Sequence, residues 1–246
     1  MPRPFLTCEW RNLFLATYAV PPALLQSRLP SGLELDTRDG NAFVSLVAFQ
    51  FVNTRVLGVP WPGYRHFPEL NLRFYVRHRE ERGVVFVREI VNQRLIAWMA
   101  RAIYHEPYRV APLTCACADK EDARTIEYRL TWGGRKQVLR VVGRMEAYLP
   151  DPASDEHFFK EHRWGFGRTR RGQTIRYEVV HPPWKAFPVE SFGVDLDWGA
   201  VYGREWEPLR NAVPMSTVFA VGSSVAVYPK GHLLDASPER TGSYSV

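Results

Sequence analysis

Apolar and polar residues alternate along much of this chain, and a period of two marks strands with one face buried. The clearest case covers 70–77, where Leu70, Leu72, Phe74 and Val76 share one face. Glu69, Asn71, Arg73, Tyr75 and Arg77 share the other, on which Tyr75 and Arg77 read as solvated. A turn at 80–83 leads to a second strand at 84–87. A helix with Trp98, Met99 and Ile103 among its apolar residues follows and ends near Glu106-Pro107.

The same reading predicts strands at 10–20, 33–35, 41–51, 111–118, 125–132, 137–142, 173–181, 190–197 and 215–228. The stretch 41–51 is apolar on both faces and reads as a central strand. The small residues of 111–118 read as a buried one, with Cys115 and Cys117 on one face. Gly133-Gly134 makes a hairpin turn, and Gly222-Ser223-Ser224 is expected to split the last strand. Short helices are expected at 23–28, opened by Pro21-Pro22, and at 155–162, capped by Ser154. The loop 53–63 carries Trp61, read as a hydrophobic plug ahead of a lid. The segment 236–246 is polar and expected to be a flexible tail. About ten strands, few helices, no repeat and no compositional boundary predict a single domain over 1–246. The expected fold class is mainly β (α+β): an antiparallel β-barrel with two or three peripheral helices.

Composition narrows the function classes. A chain of 246 residues buries enough surface to need no staple, and three cysteines are too few for a zinc set. The histidines lack metal-ligand spacing, so no metal is expected. No apolar run approaches a membrane span and the N-terminus has no signal-peptide core, so the expectation is a cytoplasmic protein with no membrane partner. The net charge is +6. Its arginines are scattered beside acids, as in Arg79-Glu80-Glu81-Arg82, which predicts a solvated surface and no nucleic-acid partner. No nucleophile elbow, phosphate loop or dinucleotide fingerprint appears, and no cofactor is expected.

Several segments, taken in order, carry a family likeness: Tyr18-Ala19-Val20-Pro21-Pro22-Ala23-Leu24-Leu25, Leu29-Pro30-Ser31-Gly32-Leu33, Phe67-Pro68-Glu69-Leu70-Asn71-Leu72-Arg73, Glu106-Pro107-Tyr108 and His181-Pro182-Pro183-Trp184. The pattern resembles the DUF2071 (YqjF-like) bacterial family and, through it, the acetoacetate decarboxylase-like superfamily. The resemblance implies a β-barrel with a central pocket, usually in an oligomer. The decarboxylases of that superfamily form a Schiff base through a lysine in a turn after the helix. The matching turn here reads Glu106-Pro107-Tyr108-Arg109, so the resemblance puts Tyr108 at the nucleophile and Arg109 at the second lysine. A phenol forms no iminium, and arginine stays protonated. Of the five lysines, Lys120, Lys136, Lys160 and Lys230 read as solvated, and Lys185 alone lies near a candidate site.

The candidate site follows. The resemblance places Glu69 in the pocket, as a base, an orienting carboxylate or a structural partner of Arg73. Asn71 and Arg73 share its face and form either an anion-binding floor or part of an outward face. Tyr108 is a candidate donor to an oxyanion and Arg109 a candidate substrate-binding cation beside it, whereas His105 reads as a surface residue at a helix end. The rigid His-Pro-Pro-Trp segment offers His181 and Trp184 as mouth residues. Together these residues predict a barrel that binds a small anionic compound, carboxylated or oxo. The alternative is a lyase- or hydrolase-like enzyme that uses Glu69, Arg73 and Tyr108 without an imine.

Overall fold

A computed structural model describes residues 3–233; the expected tail at 236–246 lies outside the described residues. In chain order the elements are β1 (Leu6–Val20), α1 (Ala23–Gln26), β2 (Glu34–Leu35), β3 (Ala42–Val56), β4 (Phe67–His78), β5 (Glu81–Val91), α2 (Arg94–Ile103), β6 (Tyr108–Val110) and β7 (Leu113–Lys120). Then follow β8 (Ala123–Trp132), β9 (Arg135–Arg144), α3 (Asp155–Lys160), β10 (Trp164–Arg168), β11 (Thr174–Val180), β12 (Ala186–Phe187), β13 (Val189–Asp195), α4 (Trp198–Tyr202), a 3₁₀ helix (Arg204–Asn211), β14 (Ser216–Val227) and β15 (Gly231–His232).

The fold is mainly β. One sheet runs β14-β1-β3-β4-β5-β10-β11 and returns on itself, because β11 also pairs with β14 at Val179↔Val227 and Val180↔Ala226. Closing a sheet leaves fewer unpaired edges. Its pairings are antiparallel except β5 with β10 and β5 with β6. A separate four-stranded antiparallel sheet has the order β13-β9-β8-β7.

The alternation seen in the sequence sorts side chains to the two faces of the large sheet. Phe14, Ala16 and Tyr18 of β1, Val44, Leu46 and Ala48 of β3, and Leu70, Leu72 and Phe74 of β4 join one core cluster. That cluster includes Ile126, Tyr128, Leu130, Leu139 and Val141 of the second sheet, which covers this face. The odd-numbered residues Leu13, Leu15, Val47, Phe49 and Phe51 belong to a second cluster on the opposite face, with Ala97 of α2. Strand β4 is therefore buried on both sides, and Tyr75, expected to be solvated, is 1% exposed. Its ring packs on Phe159 and its hydroxyl donates to the Phe159 carbonyl at 3.2 Å.

Several expectations hold. The central strand of 41–51 is β3, between β1 and β4. Gly133 and Gly134, both at positive φ, turn β8 into β9. The Ser154 hydroxyl accepts from the His157 N–H at the start of α3. Three do not. The strand of small residues is β7, an edge strand exposed over most of its length, because the second sheet ends there. The Gly222 segment does not split the last strand: β14 is continuous and pairs Gly222 with Arg11. A Cβ at Gly222 would stand 1.9 Å from the Trp10 carbonyl oxygen, and its φ is +81°, so glycine serves here as close backbone approach within a strand. Lys160 is 1% exposed rather than solvated, and its ammonium donates to Glu161.

Candidate functional site

Register brings the polar row of β4 against two further strands. Asn71 lies opposite Glu89 on β5, and Glu89 lies opposite Tyr108 on β6. Directly paired residues project to the same face. After α2, His105 adopts φ +57° and the Tyr108 N–H donates to the Glu106 carbonyl at 2.8 Å, a tight turn through Pro107. Both Glu106 and Tyr108 thereby line one cavity, with Glu69, Asn71, Arg73, Glu89 and Tyr177. The cavity measures about 130 Å3. The rest of its wall is apolar and aromatic, including Trp10, Leu13, Leu15, Phe49, Phe67, Met99 and Trp184.

The three carboxyl groups are buried and close enough to feel one another. The Tyr108 hydroxyl donates to Glu69 Oε2 at 2.7 Å and Asn71 Nδ2 donates to Glu69 Oε1 at 2.9 Å. The Tyr177 hydroxyl donates to Glu106 Oε1 at 2.8 Å. Burial still dominates and pushes the Glu69 carboxyl up to about 7, against the pull of Asn71, Tyr108 and the Arg73 charge. Burial likewise raises Glu106 to about 8, assisted by Glu69 and opposed by Tyr177. Glu89 is raised well above the carboxylate range by burial and by its two acidic neighbours, and its Oε2 has no hydrogen-bond partner. Near neutral pH burial therefore favours the protonated forms of Glu89 and Glu106, while Glu69, at about 7, stands between its two states. The buried thiol of Cys8 is also held up by burial and by Glu69, which leaves it unreactive.

Arg73 stands apart in this setting. Its side chain is 92% removed from solvent, since its exposure is 8%. Nη2 donates to the Phe159 carbonyl at 3.0 Å, and Nε has no partner. Among the described residues no carboxylate is ion-paired with it, so the expected Glu69–Arg73 pair does not form as a salt bridge. Burying a guanidinium without a counterion costs several kcal/mol, of order 3–5 when a partner is missing.

Of the residues singled out in the sequence, Glu69, Asn71, Arg73, Tyr108 and Trp184 line the one cavity. Arg109 does not. It follows Tyr108 on a strand, so alternation sends it outward, and it is exposed. His181 does not line the cavity either; its ring stacks on Trp184 at 4.1 Å from behind. Trp184 is fixed on that side, with Nε1 donating to the Ser223 hydroxyl at 2.8 Å and its backbone N–H donating to Glu161 Oε1 at 3.1 Å. Among the described residues no lysine lines the cavity: Lys185 is exposed and Lys160 is turned to Glu161. Sequence reasoning missed Glu89, Glu106 and Tyr177. An adjacent pair of opposite charges, Arg88-Glu89, inside the apolar stretch from Val84 to Val91 is the available signal for Glu89. For Tyr177 it is the alternation Ile175, Tyr177, Val179.

The sequence profile of the DUF2071 family, described as an uncharacterized conserved protein, matches residues 7–224. The chain belongs to that family. It is 29% identical over 178 residues to the uncharacterized protein YqjF of Bacillus subtilis (strain 168), which covers 71% of this chain and 72% of YqjF. Among solved structures it is similar to an acetoacetate decarboxylase-like enzyme from Sphingomonas wittichii RW1, with a TM-score of 0.65 and 13% identity over 93% of this chain and 92% of that one. It is also similar to the enduracididine biosynthesis enzyme MppR complexed with pyruvate, with a TM-score of 0.65 and 14% identity over 96% of this chain and 93% of that one. At these identities the two structures establish an acetoacetate decarboxylase-like fold for this DUF2071 chain.

Proposed function

We propose that this DUF2071 protein is a cytoplasmic binder of a small molecule with a compact apolar body and an oxo or carboxylate head. The observation that carries the reading is Arg73, a buried guanidinium without a salt-bridge partner among the described residues, on the wall of a largely apolar cavity. An anionic head would supply the missing partner, and arginine holds a carboxylate through paired N–H bonds. The protonated carboxyls of Glu89 and Glu106 would donate hydrogen bonds to a carbonyl oxygen. A cavity near 130 Å3 suits a body close to a benzene ring in size, since engineered cavities of about 150 Å3 accept benzene. That a neighbour of the same fold was solved with pyruvate is in keeping with a small oxo acid.

A second reading has its own support. Glu69 is pushed up to about 7 and is bonded to Tyr108, so an acid-base group sits where it can exchange a proton near neutral pH. In that reading Tyr108 and Glu69 stabilise a developing oxyanion as a lyase or hydrolase would, with no imine. Calorimetric titration with short 2-oxo acids and with their 2-hydroxy and amide counterparts tests the binding reading. Saturable binding of the oxo acids, lost by roughly tenfold or more in Arg73→Met, is expected. Binding that survives Arg73→Met would remove it. Product formation that ceases in Glu69→Gln while binding persists would select the enzymatic reading.

A further inference from the structure

The loop between β3 and β4 and the helix α2 form one exposed apolar surface. Gln93 Nε2, at the foot of α2, donates to the Gly63 carbonyl at 3.2 Å, and Trp61 and Tyr64 of the loop face Leu95, Ile96 and Met99 of the helix across a small gap. Leu57 is 71% exposed, Trp98 60% and Val59 55%. On α2 the exposed residues Arg94, Trp98, Arg101 and Ala102 lie on a single stripe.

The charges on this surface are of one sign. Neither 53–66 nor 92–105 contains an aspartate or glutamate, while Arg55, Arg65, Arg94 and Arg101 all lie there. Among the described residues none of the four is ion-paired; their recorded partners are the Gly58 carbonyl, Asn53 and the Tyr108 carbonyl. Glu9 accepts from Asn53 at the base of the loop and is itself held by Arg11.

We propose that this face rests on an anionic phospholipid bilayer. Trp61, Trp98, Leu57 and Val59 would lie at headgroup depth, and the four arginines against lipid phosphates. Tryptophan beside arginine on a helix face is the composition of an interfacial element. A second copy of the chain fits poorly, since a two-fold interface would bring four unpaired arginines against the same four. Nucleic acid would satisfy the arginines and leave Leu57 and Val59 without apolar partners. The proposal departs from the expectation of no membrane partner, which rested on the lack of a spanning run. No helix among the described residues is long and apolar enough to cross a membrane, and none is needed to lie on one.

The same segments form part of the cavity wall. Val56, Ile96 and Met99 line the cavity, as does Phe5, whose carbonyl accepts from the Leu57 N–H at 2.8 Å. A bilayer on this face would therefore stand one layer of side chains from the cavity. The inference rests on surface residues alone and holds whether or not a ligand binds Arg73.

Co-sedimentation of the full chain with vesicles tests it, comparing phosphatidylcholine alone with phosphatidylcholine carrying about a third phosphatidylglycerol. Binding to the anionic vesicles is expected at low salt, with loss at high salt and little binding to the neutral ones. Arg55→Gln with Arg94→Gln should weaken partitioning roughly tenfold or more, from about fivefold per arginine. Trp98→Ser should weaken it independently and reduce the blue shift of tryptophan emission, leaving the share that comes from Trp61. Unchanged melting temperatures would show that these exposed variants fold. No sedimentation, or sedimentation indifferent to all three changes, overturns the proposal. So does a concentration-dependent dimer that Trp98→Ser dissociates, which would assign the face to a second copy.

Discussion

Arg73 reaches the carbonyl of Phe159 at 3.0 Å, and that single backbone contact is the one hydrogen bond its guanidinium makes among the described residues. Strand β4 and helix α3 are thereby tied together by a cation that has no counterion. A charge in such a place lowers stability and is retained where something else needs it. Arg73→Met should leave the free protein's unfolding free energy within about 1 kcal/mol of its starting value, or raise it, because an apolar side chain of similar length removes the desolvation cost. The same substitution should abolish the thermal shift produced by a 2-oxo acid. Denaturant melts with and without ligand check both. A loss above about 3 kcal/mol in the free protein would mean that the guanidinium is structurally paired after all.

The carboxyl floor predicts a pH dependence. Glu69 is raised to about 7 and Glu106 to about 8, each mainly by burial. In the unfolded chain both ionise near their ordinary value of about 4.3. A raised folded value means that the native state binds the proton more tightly. The associated stability is full below about 4.3 and is lost as pH rises through 7 and 8. Melting temperature should therefore fall between pH 5 and roughly 8.5, and Glu69→Gln with Glu106→Gln should flatten that fall. An anionic ligand should follow the same course, since ionisation of the floor sets carboxylate against its head. A melting temperature that rises across this window in the wild type would refute the assignment.

The strand architecture was legible because period-two alternation is local. Leu70, Leu72 and Phe74 needed only their own spacing to be sorted from Glu69, Asn71 and Arg73. What each face meets is not local. Tyr75 looked solvated because Phe159, which buries it, is far along the chain and comes into contact only when α3 packs against β4. Lys160 was misjudged for the same reason: its helix is short and polar, and burial comes from the sheet beneath. The site was half readable. Its β4 row and Tyr108 are legible, whereas Glu89 and Tyr177 enter through register between strands and Glu106 through the turn before β6, and neither leaves a mark at fixed spacing.

Gly165 and Tyr177 offer a test of the floor's packing. They face each other across β10 and β11, and a Cβ on Gly165 would stand 2.2 Å from the ring carbon that bears the hydroxyl. Gly165→Ala must push that ring aside and break its bond to Glu106. The expected cost is about 1–3 kcal/mol of overpacking, together with a further rise in the Glu106 pKa, because the tyrosine bond now lowers it. Tyr177→Phe separates the two effects. It should raise the Glu106 pKa without the overpacking cost. Carbon-13 spectra of the glutamate side chains read the first quantity and denaturant melts the second. An alanine variant with wild-type stability would show that the ring does not lie over this glycine.

Among the described residues the cavity wall offers no amine, and Tyr108, which the family resemblance sets at the decarboxylase lysine, has its phenol kept protonated by burial and by Glu69 and Glu89. The buried ammonium of Lys160 donates to Glu161, and Glu161 in turn accepts from the Trp184 backbone on the wall's far side. A cation held by a carboxylate is a poor nucleophile, because attack requires the free amine. Borohydride reduction in the presence of acetoacetate or pyruvate should leave the mass of the intact chain unchanged. An adduct that maps to Lys160 would show that Trp184 moves to admit the substrate, and that the decarboxylase chemistry persists from a new position. An adduct on exposed Lys185 that disappears under denaturing controls would point instead to surface reactivity. Glu161→Gln sharpens the measurement, since freeing the amine from its partner should make Lys160 the first lysine to trap if the cavity reaches it at all.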